Sequence, residues 1–309
     1  MPWQFEVVVP AIGTITEGPA WDGEALQFSN IPASRTLRYD PKTGKCTVFR
    51  ENTEQANGLL FDSEGRLLAC QHQGRKLVRY DRDGSLTVLA DRYRGKRLNS
   101  PNDVAIDRKG RIWFSDPRYG TYRADMELKH ESVYRLDPRR DGTYSIHRVV
   151  FDMTRPNGIL VSPDMRTLYV SELNNDPRGM RQLRAYPIDE DGSLGPCRVL
   201  HDFGESRGID GMCMDVEGNI IAPAGQYGSG PGPMVYVFSP NGKILERHPL
   251  PFEKPTNCTF GDADLRTLYV TTDAGHVLRA RTDRQGYLLY PPVGAARLLK
   301  RQPTDVENL

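Results

Sequence analysis

Long apolar runs are missing from this sequence. No stretch comes near the about 20 consecutive apolar residues that a membrane-spanning helix requires, so we expect no association with a membrane. The first ten residues contain one short apolar run, at 7–9, and no basic segment. We therefore expect no secretory signal in this part of the chain.

The sequence also lacks an excess of charge of one sign. Its 309 residues include 41 Lys and Arg against 40 Asp and Glu, which gives a formal net charge of +1. Proteins that bind nucleic acid usually carry a clear surplus of basic residues. We therefore expect no nucleic-acid partner.

Closely spaced cysteines are absent as well. None of the five cysteines belongs to a CxxC pair, which excludes a zinc ribbon and a thioredoxin-type redox site. We expect reduced, buried thiols and hence a cytoplasmic protein. The five residues are Cys46, Cys70, Cys197, Cys213 and Cys258.

Turn-forming residues, by contrast, are abundant, with 29 Gly and 23 Pro, and they separate short segments that repeat. Six segments begin with Glu, Asn or Asp, continue as a short strand-like run and end in a polar turn. They start 40, 45, 55, 53 and 47 residues apart, which is the period of four-stranded propeller blades. Their first residues are Glu17, Asn57, Asn102, Asn157, Asp210 and Asn257.

These repeats predict an all-β fold, a six-bladed β-propeller with four-stranded antiparallel blades, in which residues 1–309 form one domain. A ring of sheets must close to remove its exposed edges. We expect the strand at 4–9 to join the last blade, which begins at Asn257. Helical segments are few, and we predict one short helix at 126–131 as part of a lid over the channel.

Blade topology places the polar residues that open the repeats around one end of the central channel. Six oxygen-bearing side chains therefore converge on one axis, and two of them, Glu17 and Asp210, are carboxylates that would repel each other. A divalent cation would balance these charges. Donors that are all oxygen favour Ca²⁺, with Mg²⁺ and Mn²⁺ as alternatives and Zn²⁺ as the least suited one. The competing interpretation is a solvated polar channel without a metal.

Five motifs follow one another in order along the chain, and the first begins at Ile15. The part of the chain that they represent extends from Glu17 to about Arg281. They are ITEGPAW from Ile15, SPNDV from Ser100, FSDP from Phe114, PNGI from Pro156 and GIDGM from Gly208. In this order they resemble the senescence marker protein/regucalcin/gluconolactonase family. The resemblance implies a six-bladed propeller that holds one catalytic divalent metal in its channel, and it implies an activity on sugar lactones.

By position, the resemblance implies that Glu17, Asn157 and Asp210 bind the metal. Asn102 would be a fourth ligand or a contact to the substrate. Asp103 would lie behind the ligands and steady them. In the mammalian lactonases of the family, an Arg at the position of Ser100 contacts the substrate. We therefore expect this difference to affect which substrate binds more than it affects the chemistry.

Hydrolysis of a lactone requires a polarised carbonyl, a deprotonated water and a stabilised oxyanion. We expect the metal to polarise the carbonyl, and either Asp210 or metal-bound water to supply the nucleophile. Because a bound dication lowers the pKa of a carboxylate and makes it a weak base, His72 is the alternative base. His72 could equally be a surface-loop histidine.

Arg118 and Tyr119 follow the second strand of the third unit, on the same face as the opening residues. They could hydrogen-bond the hydroxyl groups of a sugar, or they could belong to an ordinary turn anchored by a proline. The predicted function is thus a gluconolactonase-like hydrolase for a small-molecule lactone. An organophosphate or ester hydrolase and a non-catalytic calcium-binding propeller stay open as alternatives, and so does the oligomeric state.

Overall fold

Tight turns reverse the chain between the first two strands of the repeats. In the second repeat, the carboxylate of Asp62 accepts the backbone N–H groups of Glu64 and Arg66, both at 2.9 Å. Asp107 and Asp215 make the same contacts in their own repeats. These turns form the hairpins, and the Asn-Gly pairs that open the second and fourth repeats lie within strands, as the sequence predicts.

The computed structural model describes residues 1–119 and 121–290. Within them, six four-stranded antiparallel sheets surround a central axis, which confirms the predicted six-bladed β-propeller. The chain opens with β1 (Glu6–Val9). Blade 1 comprises β2 (Thr16–Trp21), β3 (Leu26–Asn30), β4 (Arg35–Asp40) and β5 (Lys45–Glu51). Blade 2 comprises β6 (Ala56–Phe61), β7 (Leu67–Gln71), β8 (Lys76–Tyr80) and β9 (Leu86–Ala90), followed by a hairpin of β10 (Arg92–Tyr93) and β11 (Lys96–Arg97).

The other blades repeat this order from the channel outward. Blade 3 comprises β12 (Val104–Ile106), β13 (Ile112–Asp116), β14 (Ser132–Pro138) and β15 (Tyr144–Arg148). Blade 4 comprises β16 (Pro156–Val161), β17 (Thr167–Leu173), β18 (Arg181–Pro187) and β19 (Arg198–Asp202). Blade 5 comprises β20 (Cys213–Met214), β21 (Ile220–Gln226), β22 (Ser229–Phe238) and β23 (Ile244–Pro249). Blade 6 comprises β24 (Pro255–Gly261), β25 (Thr267–Thr272), β26 (Val277–Arg281) and, outermost, β1.

The ring closes through the start of the chain. Strand β1 pairs antiparallel with β26, with Val7 opposite Leu278 and Val9 opposite Val277. The outer strand of blade 6 therefore comes from the opposite end of the sequence, and the predicted closure is confirmed. This pairing covers the edge that β26 would otherwise expose.

The innermost strands approach one another closely at the channel. Gly18 has a φ of +52°, and a Cβ there would lie 2.1 Å from the carbonyl oxygen of Asn57. A Cβ on Gly158 would lie 2.4 Å from the carbonyl oxygen of Asp210. Only glycine fits at these positions, so the backbones of neighbouring blades can touch just beside the residues that open the repeats.

Residues 282–290 cover the far end of the channel. The N–H of Gly286 donates to the carbonyl of Leu265 (2.7 Å), and that of Tyr287 donates to the carbonyl of Met214 (2.8 Å). Between this floor and the residues that open the repeats lies a cavity of about 130 Å³, lined mostly by apolar side chains. The described residues contain no helix long and apolar enough to cross a membrane.

The prediction of a helix at 126–131 is wrong. The one helical element in the described part of the chain is a 3₁₀ turn at Thr121–Asp125, and the following residues are irregular. Leu128 is buried against blades 2 and 3, and the carbonyl of His130 accepts the side-chain amide of Asn99 (2.9 Å). These contacts with the neighbouring blade and loop hold the segment, whereas a six-residue helix has little stability of its own. That residues 1–309 form one domain stays a prediction, because 291–309 lie outside the described residues.

The closure of the ring can be tested at β1. Val9 is 2 % exposed and packs in the core between blades 6 and 1, whereas Val7 on the same strand is 44 % exposed. We expect Val9→Asp to lower the free energy of unfolding by about 3 kcal/mol or more, since it buries an unpaired carboxylate. Urea unfolding measures this loss, with Val7→Asp as the matched control. Similar losses in the two variants would contradict a buried closing strand.

Candidate functional site

The residues that open the six repeats form a closed circle at one end of the channel, which we call the hub. None of the six is more than 9 % exposed. Neighbouring blades touch at each step around this circle. The N–H of Gly58 donates to the carbonyl of Asn102 (2.8 Å), and the N–H of Gly158 donates to that of Asp210 (2.9 Å).

The circle closes between the last repeat and the first. The side-chain amide of Asn257 donates to Oε2 of Glu17 (3.0 Å), and Thr256 Oγ1 donates to the carbonyl of Thr16 (2.7 Å). Blades 3 and 4 are joined by Asp103, whose Oδ2 accepts the N–H of Ile159 (3.3 Å). The structure therefore brings together Glu17, Asn57, Asn102, Asp103, Asn157, Asp210 and Asn257.

Three carboxylates are buried at the hub, and their pKa values reflect this crowding. Burial, followed by the charges of Asp210 and Asp103, raises the pKa of Glu17 well above its ordinary value. Burial raises the pKa of Asp103 to about 7, although backbone N–H groups of Val104 and Ile159 oppose the shift. Burial raises the pKa of Asp210 to about 6. Without a compensating cation, this concentration of negative charge is unfavourable.

The donors at the hub fit a hard divalent cation. Glu17, Asn102, Asn157 and Asp210 offer carboxylate and amide oxygens, which suit Ca²⁺ and Mg²⁺. Oδ1 of Asn57 is buried and has no hydrogen-bond partner among the described residues, so a cation would satisfy an otherwise unpaired oxygen. Within 1–119 and 121–290, no group of three or more His, Cys, Asp and Glu is arranged as a metal site. The hub instead mixes carboxylates with amides, and Asp103 is turned toward backbone N–H groups.

Arg207 contacts the hub, and the sequence did not predict this contact. It is 8 % exposed. Its Nη2 donates to Oδ2 of Asp210 (2.6 Å), and its Nη1 donates to the carbonyl of Pro255 (2.8 Å). This guanidinium, together with the Asn157 amide, opposes the effect of burial on the pKa of Asp210. A single arginine in a loop belongs to no repeat pattern, so the sequence carries no signal for it.

Two acidic residues hold the loops that lead into the hub. Asp116 ends β13 and is fully buried. Its carboxylate accepts the N–H groups of Asn99 (2.9 Å) and Ser100 (2.8 Å), just before Asn102. Burial raises the pKa of Asp116 to about 7.

Glu172 does the same in blade 4. Its Oε1 accepts the N–H groups of Arg155 (2.7 Å) and Thr154 (3.1 Å), just before Asn157. Both acids lie at or near the end of the second strand of their blade, and their carboxylates fix the loops that position the hub amides.

Tyr119 reaches the hub, whereas Arg118 is held beside it. The hydroxyl of Tyr119 accepts the side-chain amide of Asn157 (2.7 Å). Nη2 of Arg118 donates to Asp125 (2.6 Å), and its Nη1 donates to the carbonyl of Asn99 (3.3 Å). Arg118 thus ties the 3₁₀ turn to the loop before Asn102.

His72 lies near Arg118, and its pKa differs from that of the ordinary histidine that the sequence suggests. Burial, followed by the positive charge of Arg118, lowers the pKa of His72 to about 4. The imidazole is therefore neutral at physiological pH and is a weak base. Ser100 donates from Oγ to the carbonyl of Pro117 (2.6 Å).

Comparison with known proteins shows the family of this chain. The model of the family described as "SMP-30/Gluconolactonase/LRE-like region" matches residues 15–274. The chain belongs to the SMP-30/gluconolactonase/LRE-like family. Its relatives in the family include a gluconolactonase of Zymomonas mobilis, 30 % identical over 88 % of this chain and 79 % of that protein. The pentonolactonase XacC of Haloferax volcanii is 31 % identical over 87 % of this chain and 84 % of its own length.

A solved structure is also similar to this chain. It is the gluconolactonase XC5397 of Xanthomonas campestris, with a TM-score of 0.77 and 34 % identity. The match covers 90 % of this chain and 89 % of that one.

In this SMP-30/gluconolactonase/LRE-like protein, Arg207→Met is expected to lower the free energy of unfolding by about 3–5 kcal/mol in the absence of divalent cations, because Asp210 loses its buried counter-ion. Urea unfolding in a chelator near neutral pH measures this. Arg184→Met is the matched control: Arg184 is 5 % exposed, but its partner Asp152 has a side chain that is 52 % exposed and can be hydrated. Equal losses would show that Asp210 does not depend on Arg207.

Asp116 should make the stability of the protein depend on pH. Its folded pKa of about 7 lies above the ordinary 3.8, so its stabilising contribution is complete below about pH 4 and is lost as the pH rises through about 7. We expect Asp116→Asn to remove up to about 1.4 kcal/mol per pH unit from this slope. Urea unfolding in a chelator at several pH values tests this. Between about pH 4 and 7 the exposed Asp141→Asn variant should keep the wild-type slope, because hydrogen bonds from Thr143 lower the pKa of Asp141 and place its titration below this range. An unchanged slope in Asp116→Asn would contradict the shifted pKa.

Proposed function

We propose that this protein is a lactonase that hydrolyses sugar lactones with one divalent cation, Ca²⁺ by preference, held at the hub. The observation that carries the proposal is the buried circle of carboxylate and amide oxygens, in which Glu17 and Asp210 raise the local negative charge and Asn57 offers an unpaired oxygen. Membership of a family with characterised lactonases supports the reaction class.

The proposed ligands are Glu17, Asn102, Asn157 and Asp210, and Oδ1 of Asn57, unpaired within the described residues, is a further oxygen available at the same hub. When bound, the cation would supply Lewis acidity for the lactone carbonyl and for the oxyanion that forms from it. Asp103 steadies this set from behind, because its carboxylate is fixed by backbone N–H groups of blades 3 and 4. Other divalent ions that accept oxygen donors, Mg²⁺ and Mn²⁺, are alternatives.

Asp210 is the proposed base. Burial raises its pKa to about 6 when no cation is bound, and a bound dication would lower this pKa again and make the carboxylate a weaker base. The same cation would also lower the pKa of the attacking water, so that a weaker base suffices. His72 is the weaker candidate, since its pKa is lowered to about 4. Arg207 donates to Oδ2 of Asp210, which fixes the orientation of this carboxylate at the hub.

The substrate would be contacted from the blade 3 side of the hub. Tyr119 is the best placed of the predicted contacts, because its hydroxyl already lies at Asn157. Asn102 and His72 are the other proposed contacts, and His72 would act as a neutral hydrogen-bonding partner because its pKa is lowered. Arg118 contributes by holding the loop, since its guanidinium is engaged with Asp125. We expect a small-molecule substrate and a cytoplasmic location.

The test is acid release from glucono-1,5-lactone, followed with a pH indicator in weak buffer. We expect turnover that is lost with EDTA and restored by Ca²⁺ or Mn²⁺. Asp210→Asn should lose about 10²–10⁴-fold in kcat, as expected when a general base is removed. Asp273→Asn is the matched control, because it removes a half-exposed carboxylate that also faces Asp210.

The outcomes separate the alternatives. Near wild-type turnover by Asp210→Asn with cation bound would refute Asp210 as the base. Cation binding without hydrolysis of any aldonolactone would favour a binding propeller, and hydrolysis confined to phosphotriesters would favour an organophosphate hydrolase.

A further inference from the structure

Two cysteines face each other across the seam between blades 5 and 6. The Sγ atoms of Cys213 and Cys258 are 3.3 Å apart, and both thiols are free. Cys213 lies on β20 and Cys258 on β24, the innermost strands of their blades. These strands belong to different sheets, so no backbone ladder explains the contact.

We propose that Cys213 and Cys258 are a modification site, at which a hydroperoxide or another two-electron thiol oxidant closes a disulfide between blades 5 and 6. The sulfurs must approach by about 1.2 Å to reach the normal S–S length. Both residues line the cavity of about 130 Å³ beneath the hub, so a small oxidant that occupied this cavity would lie next to them.

The reaction balances with the peroxide as oxidant. One thiolate attacks a peroxide oxygen, which forms a sulfenic acid and releases water or an alcohol. The second thiol then attacks the sulfenic sulfur, which forms the S–S bond and releases a second water. Two thiols are oxidised and one peroxide is reduced. Burial raises the pKa of the Cys213 thiol well above its usual range, so we expect slow oxidation at neutral pH and faster oxidation in mild alkali.

The pair is connected to the hub through Asn257. The N–H of Cys258 donates to Oδ1 of Asn257 (2.8 Å), and Nδ2 of Asn257 donates to Oε2 of Glu17 (3.0 Å). Drawing Cys258 toward blade 5 would therefore move the amide that orients Glu17. This coupling, unlike the disulfide itself, rests on the proposed function, because it predicts weaker cation binding by the oxidised protein.

The test of the site is mass spectrometry after treatment of the whole protein with equimolar hydrogen peroxide in mild alkali, followed by alkylation and trypsin digestion. We expect peptides 208–243 and 248–266 to be joined with the loss of two hydrogen atoms, and reductant to separate them. A variant with Cys46→Ser and Cys197→Ser should give the same product, because the pair is intact.

Cys213→Ser should give no joined peptides and should leave Cys258 as sulfenic or sulfinic acid. Should either serine variant fail to fold, the wild type and the double variant still decide the outcome. Consumption of the peroxide without the joined peptides, or preferential joining to Cys46, Cys70 or Cys197, would overturn the proposal.

The test of the coupling is calorimetric titration of reduced and oxidised wild type with Ca²⁺. We expect the oxidised protein to bind about tenfold more weakly or worse, as for losses of groups that orient a metal ligand, and reductant to restore the affinity. Equal affinities would overturn the coupling and leave the disulfide site standing. Absence of Ca²⁺ binding by the reduced protein would count against the proposed function, not against the disulfide.

Discussion

Negative charge concentrated on the axis of the propeller is the constraint from which the rest of the hub follows. Glu17, Asp103 and Asp210 come from three blades and are buried within reach of one another's charge. The structure offsets part of this with Arg207 on Asp210, Asn257 on Glu17 and backbone N–H groups on Asp103. Three carboxylates and one guanidinium leave two negative charges if all are ionised, and a divalent cation matches that remainder.

The carboxylates meet only because the ring is closed and its inner strands are packed tightly. Glycines beside the hub residues remove the side chains that would hold neighbouring blades apart. The outer strand of blade 6 comes from the start of the chain, so the first and last repeats are fixed against each other. Asn257 can then reach Glu17 across that junction. The site thus depends on contacts between blades more than on any one blade.

The repeat pattern made the fold and the hub predictable. Each repeat carries its own turn and its own opening residue, so the blade count and the convergence of Glu17, Asn157 and Asp210 follow from local sequence and topology. Features that depend on contacts between repeats could not be found this way. Arg207 belongs to no pattern, and the low pKa of His72 arises from burial and from Arg118. The predicted helix at 126–131 failed for the same reason, since the packing of Leu128 decides that segment.

Residues 282–290 affect how a small molecule can reach the hub. Tyr287, Leu288 and Leu289 form the floor of the cavity under the hub, so within 1–119 and 121–290 these residues obstruct the channel at that end. A reactant would then reach the hub from the opposite end, past the loops that Asp116 and Glu172 hold. Changes in those loops would alter how quickly a reactant arrives and how quickly its product departs.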